Sequence, residues 1–124
     1  MTRFDPIGEI ATPFDSHEDA PKQGSNTHEI GVITIKSAYG DGLCGIETGQ
    51  SIEIVWFADR ANRDRLVFDR NGSRGVFSTR SQDRPNPICV TRSMIVDIDR
   101  PHLTVEGIDM LDGTPILDLK GTMA

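Results

Sequence analysis

The sequence predicts an all-β protein: a small closed or strongly curled β-barrel of about seven strands with long polar loops. Three observations lead there. Short runs rich in β-branched and aromatic residues recur along the 124 residues, each long enough for one strand only. Twelve glycines and seven prolines fall mostly between those runs, as turn residues do. No segment sustains helical periodicity beyond a couple of turns. So many short strands in a chain of this size must hide their edges, and closure does so most completely. The length fits one domain, residues 1–124, around one core.

The elements follow in order. Phe4–Ile10 holds a short strand, and Thr12–Thr27, broken by Pro13, Pro21 and Gly24, reads as polar loop. Glu29–Lys36 is a strand with Ile30, Val32 and Thr34 on one face and Ile33 and Ile35 on the other, which suits a covered sheet. Ala38–Gly45 has room for a single helical turn. Ser51–Ala58 sets Ile52, Ile54 and Trp56 against Glu53, Val55 and Phe57. Asp59–Ser73, rich in Arg, Asp and Asn, predicts a mobile surface loop. A short strand at Gly75–Phe77 follows. In Ile88–Ile98 the residues Ile88, Val90, Arg92, Met94, Val96 and Ile98 share one face, which predicts an apolar face broken only by Arg92. An arginine there sits at a sheet rim or in a site. The turn cluster Asp99-Arg100-Pro101 leads into His102–Ile108 and predicts a hairpin, and Pro115–Lys120 ends the series.

Composition narrows the function. The formal charge is −6, yet residues 60–92 carry eight Arg and three Asp, a local charge of +5. An acidic chain does not bind nucleic acid over its whole surface, so the Arg-rich stretch is either a set of solvated loop charges or a local site for an anionic partner. The apolar runs are far shorter than a membrane span, and the N-terminus has no secretory pattern, so a cytoplasmic location without membrane contact is expected. Cys44 and Cys89 form no CxxC and are expected to be free thiols. His17, His28 and His102 have no partner at metal-ligand spacing, so no metal is expected.

Two stretches carry chemistry. In Gly75-Val76-Phe77-Ser78-Thr79-Arg80-Ser81-Gln82-Asp83-Arg84-Pro85-Asn86-Pro87-Ile88, two prolines stiffen a polar loop between strands. Arg80 and Arg84 are thus presented from a rigid frame, and rigidity lowers the entropy lost on binding. In Gly107-Ile108-Asp109-Met110-Leu111-Asp112-Gly113-Thr114-Pro115-Ile116-Leu117-Asp118-Leu119-Lys120, Asp112-Gly113 is a turn and Thr114-Pro115 an extended exit. Read alone, this is an ordinary strand–turn–strand; a carboxylate here also suits ribose hydroxyls, and the glycine backbone an adenine edge.

Both stretches, in this order and spacing, resemble the two signatures of the YaeB/TrmO-like (TsaA-like) family. Ile7-Gly8-Glu9-Ile10, Thr12-Pro13-Phe14 and Pro21-Lys22-Gln23 extend the resemblance over almost the whole chain. It implies a dimeric β-barrel that binds S-adenosylmethionine without the glycine-rich dinucleotide fingerprint. The cofactor contacts it implies fall on Pro21, Lys22, Gln23, Ala58, Asp59, Arg80, Val90, Asp112, Gly113, Thr114 and Pro115. Arg84, Asn86 and Arg92 are candidates for substrate binding, and no catalytic base is identified. The family's best-known members methylate N6-threonylcarbamoyladenosine in tRNA. This chain differs in having Ala58-Asp59 where the family usually has a histidine and in reading Lys120-Gly121-Thr122-Met123-Ala124 in place of Lys-Pro-Tyr, and the C-terminal extension of longer relatives is not expected here. The readings are therefore methyl transfer to tRNA, methyl transfer to a small molecule, and cofactor binding without catalysis.

Overall fold

A computed structural model describes residues 2–16, 18, 20, 28–69 and 72–122. Among the described residues there are eight strands: β1 (Gly8–Ala11), β2 (Ile30–Ile35), β3 (Ser51–Phe57), β4 (Val67–Phe68), β5 (Arg74–Gly75), β6 (Ile88–Asp99), β7 (His102–Glu106) and β8 (Thr114–Gly121). Six of them close a barrel in the order β1-β2-β7-β6-β3-β8, with every pairing antiparallel. The remaining two, β4 and β5, pair only with each other. The all-β expectation holds, and closure removes the exposed edges as expected. No helix among the described residues is long and apolar enough to cross a membrane.

The barrel is filled by alternate, inward-pointing residues of its six strands, among them Ile10, Ile33, Ile54, Ile95, Leu103, Val105 and Ile116, all buried. One end is plugged by a three-ten helix, Ser37–Leu43, whose Leu43 is buried and whose Leu43 carbonyl accepts Arg100 Nη2 at 3.1 Å. This is the helical turn anticipated near Ala38–Gly45. The opposite end is covered by the segment 107–111, which sets Ile108, Met110 and Leu111 into the core beside Phe14. β6 and β7 form the expected hairpin, with Asp99 opposite His102 and a cis peptide bond between Arg100 and Pro101.

Three expectations need correction. The first concerns strand bounds: β1 begins only at Gly8, and the stretch expected as strand Gly75–Phe77 is the end of a two-residue strand followed by a three-ten turn, Val76–Ser78. The second concerns the expected mobile loop Asp59–Ser73, which over residues 59–69 is tied down: Asn62, Arg63 and Asp64 all make hydrogen bonds, and this part contributes β4. The third concerns β6. Its buried side is Thr91, Ser93 and Ile95 with half-buried Cys89, while Ile88, Val90, Arg92 and Met94 point outward. Alternation alone chose the wrong face, because the polar side chains on the inner face find acceptors inside and so can be buried. A register irregularity between Ile95 and Asp97 then shifts the pattern, leaving Val96 and Ile98 half-buried.

Two glycines mark where backbones approach too closely for a side chain. A Cβ at Gly8 would run into the Thr34 carbonyl oxygen, which belongs to a paired strand and cannot turn away. At Gly31 the obstacles are the Cδ1 atoms of Ile10 and Ile108, each 2.9 Å from the Cβ position, and a rotamer change moves those. Gly8→Ala is therefore expected to lower stability at or beyond the upper end of the roughly 1–3 kcal/mol typical of overpacking, and Gly31→Ala near its lower end. Urea denaturation of the two variants checks the ranking; the reverse order would show that the barrel closes differently.

Candidate functional site

Strand polarity brings the chain's chemistry to one rim. β1, β3 and β7 end there, and β2, β6 and β8 begin there. Around that rim lie Ala58 and Asp59, the loop 79–87, and the corner Asp112–Pro115. The loop following β3 is bonded to both of the corners that sequence singled out. Arg60 Nη2 donates to the Asp112 carbonyl at 2.8 Å and to Thr114 Oγ1 at 3.3 Å. Two residues on, the Asn62 N–H donates to Asp83 Oδ1 at 2.9 Å, and Arg63 Nε donates to the Pro85 carbonyl at 2.8 Å. The guanidinium corner and the carboxylate–glycine corner are thus held at the same end of the barrel.

The corner Asp112–Pro115 is shaped by its backbone. Gly113 has φ +81°, which side chains rarely tolerate, and the space where its Cβ would stand is open. The Gly113 N–H donates to the Ile10 carbonyl and the Asp112 N–H to the Phe14 carbonyl, both at 2.8 Å. Asp112 is exposed, and its Oδ1 accepts the Thr12 N–H at 3.0 Å. Thr114 is buried, with its hydroxyl bonded to the Leu111 carbonyl at 2.6 Å. The next residue, Pro115, is half-buried.

In the other corner Arg84 is a brace. Its Nε donates to the Ser81 carbonyl at 2.7 Å, and its Nη2 donates to the carbonyls of Val76 at 2.8 Å and Thr79 at 2.6 Å. A guanidinium used in this way fixes the loop and has little left to offer a substrate. Arg80 is different. It is exposed, donates from Nη2 to the Val90 carbonyl at 3.1 Å, and makes no other hydrogen bond among the described residues. That carbonyl is free for it because β7 stops opposite Met94. The backbone groups of Val90 that turn away from β3 therefore meet no strand.

The remaining candidates are spread more widely. Ala58 is buried in the core, whereas Asp59 is exposed at the rim with an oxygen 3.4 Å from Arg60 Nε. Asn86 is exposed and its Oδ1 accepts Arg63 Nη2 at 3.4 Å. Arg92 stands on the outer face of β6 opposite Glu53, with no ion pair or hydrogen bond among the described residues. Pro21, Lys22 and Gln23 lie outside the described residues. An open groove of about 360 Å³ on the outer face of β1 and β2 includes Pro115 but no other candidate. The rim has the richer set of polar groups. No cluster of three His, Cys, Asp or Glu side chains suited to a metal occurs among the described residues.

Sequence reading missed the polar chain beneath this rim. Trp56 Nε1 donates to Thr91 Oγ1 at 3.0 Å, and the Thr91 hydroxyl donates to Asp109 Oδ1 at 2.7 Å. Ser93 Oγ donates to the Gly107 carbonyl at 2.7 Å. These bonds join the inner face of β6 to the segment leading to Asp112. The available signal was Thr91 and Ser93 alternating with Ile95 in a strand that has one other candidate face. Nearby Cys89 has its pKa pushed up to about 11, mainly by burial, with Arg84 working against that and Asp109 with it. It stays a neutral thiol at physiological pH. Thr91→Val keeps the shape but strands the Trp56 N–H, so a loss of about 1–3 kcal/mol is expected, while Thr91→Ser retains most of the stability. Equal denaturation midpoints for Thr91→Val and the unaltered protein would remove this chain from the account.

The chain is 42% identical over 117 residues to a probable S-adenosyl-L-methionine-binding protein of Halobacterium salinarum, covering 93% of this chain and 94% of that one. It is 41% identical over 118 residues to an S-adenosyl-L-methionine-binding protein of Archaeoglobus fulgidus, covering 93% and 85%. A mouse tRNA (adenine(37)-N6)-methyltransferase is 30% identical over 135 residues, which are 97% of this chain and 30% of that protein. Among solved structures, one described as TrmO superposes with a TM-score of 0.86 at 27% identity, covering 99% of this chain and 58% of the other. The chain thus spans little more than half the length of that solved relative. Residues 9–124 match the model of the tRNA-methyltransferase O N-terminal domain, and the chain belongs to that family.

Proposed function

We propose that this chain binds S-adenosylmethionine at the rim and transfers its methyl group to an RNA, with N6-threonylcarbamoyladenosine of tRNA as the acceptor. The observation that carries the reading is the loop after β3, whose Arg60, Asn62 and Arg63 are bonded to both corners at once. The groups present fit a zwitterionic nucleoside: an exposed guanidinium with donors to spare, an exposed carboxylate, and a glycine turn with open space before it. Arg80, Val90 and the turn Asp112–Pro115 would hold it, with Asp59 at the margin. When bound, S-adenosylmethionine supplies an electrophilic methyl group on a sulfonium.

The chain's own part is chiefly placement. Arg84, Pro85 and Pro87 fix the loop that carries Arg80, so the donor site is formed before the ligand arrives and little ordering entropy is lost. Asp112 keeps one oxygen on the Thr12 N–H, which orients the carboxylate and leaves its second oxygen for a hydroxyl or ammonium group. Relatives named only as S-adenosyl-L-methionine-binding proteins, together with the acidic charge outside residues 60–92, favour a second reading. In it the acceptor is a small molecule, or the protein binds the cofactor without turnover.

The dimer belongs to the same proposal. Outside the barrel, Val55 faces Val90 and Phe57 faces Ile88, with Met94 further along and the opposite charges of Glu53 and Arg92 side by side. A strip with its own cation and anion suits a two-fold contact, in which each charge meets its opposite. Because Val90 belongs both to this strip and to the Arg80 corner, a second copy would border the cofactor site. Met94→Glu, at a position 48% exposed and so harmless to the fold, is expected to give monomers in sedimentation velocity. A monomeric unaltered protein would refute the contact.

Calorimetry and a radiolabel assay test the activity. Arg80→Ala is expected to weaken S-adenosylmethionine binding about tenfold or more, as loss of a charge-assisted bond does, without lowering the melting temperature. Label is expected to enter threonylcarbamoylated tRNA and not the unmodified RNA. Transfer only to a metabolite extract would establish the small-molecule reading, and tight binding with no transfer to any acceptor would leave a cofactor-binding module.

A further inference from the structure

Phe77 is 82% exposed, more than any other large apolar side chain among the described residues. An isolated surface phenylalanine is ordinary. This one is held with unusual care. It occupies the middle of the three-ten turn Val76–Ser78, and its neighbour Val76 is buried. The Val76 N–H donates to the Leu66 carbonyl at 2.9 Å, and Ser78 Oγ donates to the Gly75 carbonyl at 2.8 Å. Guanidinium groups brace both flanks: Arg74 Nη2 donates to the Ser78 carbonyl at 2.9 Å, while Arg84 holds the carbonyls of Val76 and Thr79. The backbone beneath the ring is therefore fixed, and the ring itself stands in water.

Its surroundings are cationic and aromatic. Arg74 lies opposite Phe68 in the β4–β5 pair, and the Arg65 guanidinium sits 5.0 Å from the centre of the Phe68 ring. Arg80 is three residues further along. Whereas the chain as a whole carries −6, residues 60–92 carry +5, so this is the side from which a polyanion would be drawn in. A rigid aromatic face among arginines is how proteins hold unpaired nucleobases: the ring stacks on the base and the cations follow the phosphates. A duplex hides its base faces and would gain nothing from the ring. A second copy is disfavoured too, because a two-fold contact centred on Phe77 would bring Arg74 and Arg80 of both copies together.

We infer that Phe77 is a stacking platform for an unpaired base of the RNA acceptor, with Arg65, Arg74 and Arg80 flanking its phosphates. This rests on the RNA reading above and adds to it how single-stranded RNA is engaged next to the cofactor rim. The probe is a fluorescein-labelled RNA hairpin with an unpaired loop, titrated by anisotropy against its fully paired duplex as control. The unaltered protein is expected to prefer the hairpin. Phe77→Ala is expected to weaken hairpin binding about tenfold, leaving duplex binding, S-adenosylmethionine affinity and sedimentation unchanged, and Phe77→Trp to restore it. If the unaltered protein binds the hairpin and Phe77→Ala binds it equally well, the platform is wrong and the RNA reading survives. If the unaltered protein binds no hairpin, both fall. Loss of dimer or of cofactor affinity in Phe77→Ala would assign the ring to one of those surfaces and overturn the inference.

Discussion

The rim of the barrel is held together by guanidinium groups donating to backbone carbonyls, and the site depends on those bonds. Beyond the strand ends there is no ladder to satisfy the carbonyls of residues 76–87 and 112, nor one on the side of Val90 turned away from β3, and such backbone has to find donors elsewhere. Arg60, Arg63, Arg80 and Arg84 supply them, reaching Asp112, Pro85, Val90 and the run Val76, Thr79 and Ser81. Arginine suits this work because its planar fork bonds two or three acceptors from one rigid group and never loses its charge. The Arg-rich stretch is thus divided between scaffold and contact. Arg84 and Arg63 are committed to the scaffold, whereas Arg80 keeps most of its donors.

The same economy explains β6. A closed barrel needs a filled interior, and apolar side chains are the usual filling. Here the inner face at the rim end is Cys89, Thr91 and Ser93, because the β6–β7 pairing ends at Glu106 and the segment 107–109 follows it. Thr91 and Ser93 bond that segment in place of a strand, to Asp109 and to the Gly107 carbonyl. No buried side-chain nitrogen or oxygen among the described residues is left without a partner. The apolar residues displaced to the outside, Ile88, Val90 and Met94, then form the strip proposed as a subunit contact.

Much of this was legible in the sequence, for identifiable reasons. Strand positions at Glu29–Lys36, Ser51–Ala58 and Pro115–Lys120 could be read because their alternation and β-branched content agree. The β6–β7 hairpin could be read because Asp99-Arg100-Pro101 is a turn by composition. Both corners were legible as long ordered motifs. The inward face of β6 was not, since the rule that apolar residues point inward fails where buried hydroxyls have partners distant in sequence. Nor was the role of Arg84, because nothing local distinguishes an arginine that braces carbonyls from one that awaits a phosphate. Loop 59–73 looked free for the same reason: its partners, Asp83, Pro85 and Asp112, lie some 20 to 50 positions away.

Position 58 shows how far family likeness extends to chemistry. The resemblance places a histidine after the third strand, and here that place is taken by a buried Ala58 and an exposed Asp59 paired with Arg60. The alanine methyl is part of the core, so an imidazole could not replace it without displacing its neighbours. The residue facing outward at this edge is a carboxylate, and its neighbour is the arginine that fixes Asp112. Of the described histidines, His28 lies at this end of the barrel and bonds Glu106, whereas His102 bonds Thr34 at the other end, each at 3.0 Å. On the methyl-transfer proposal, the part these two corners play in the rate is to hold donor and acceptor in line.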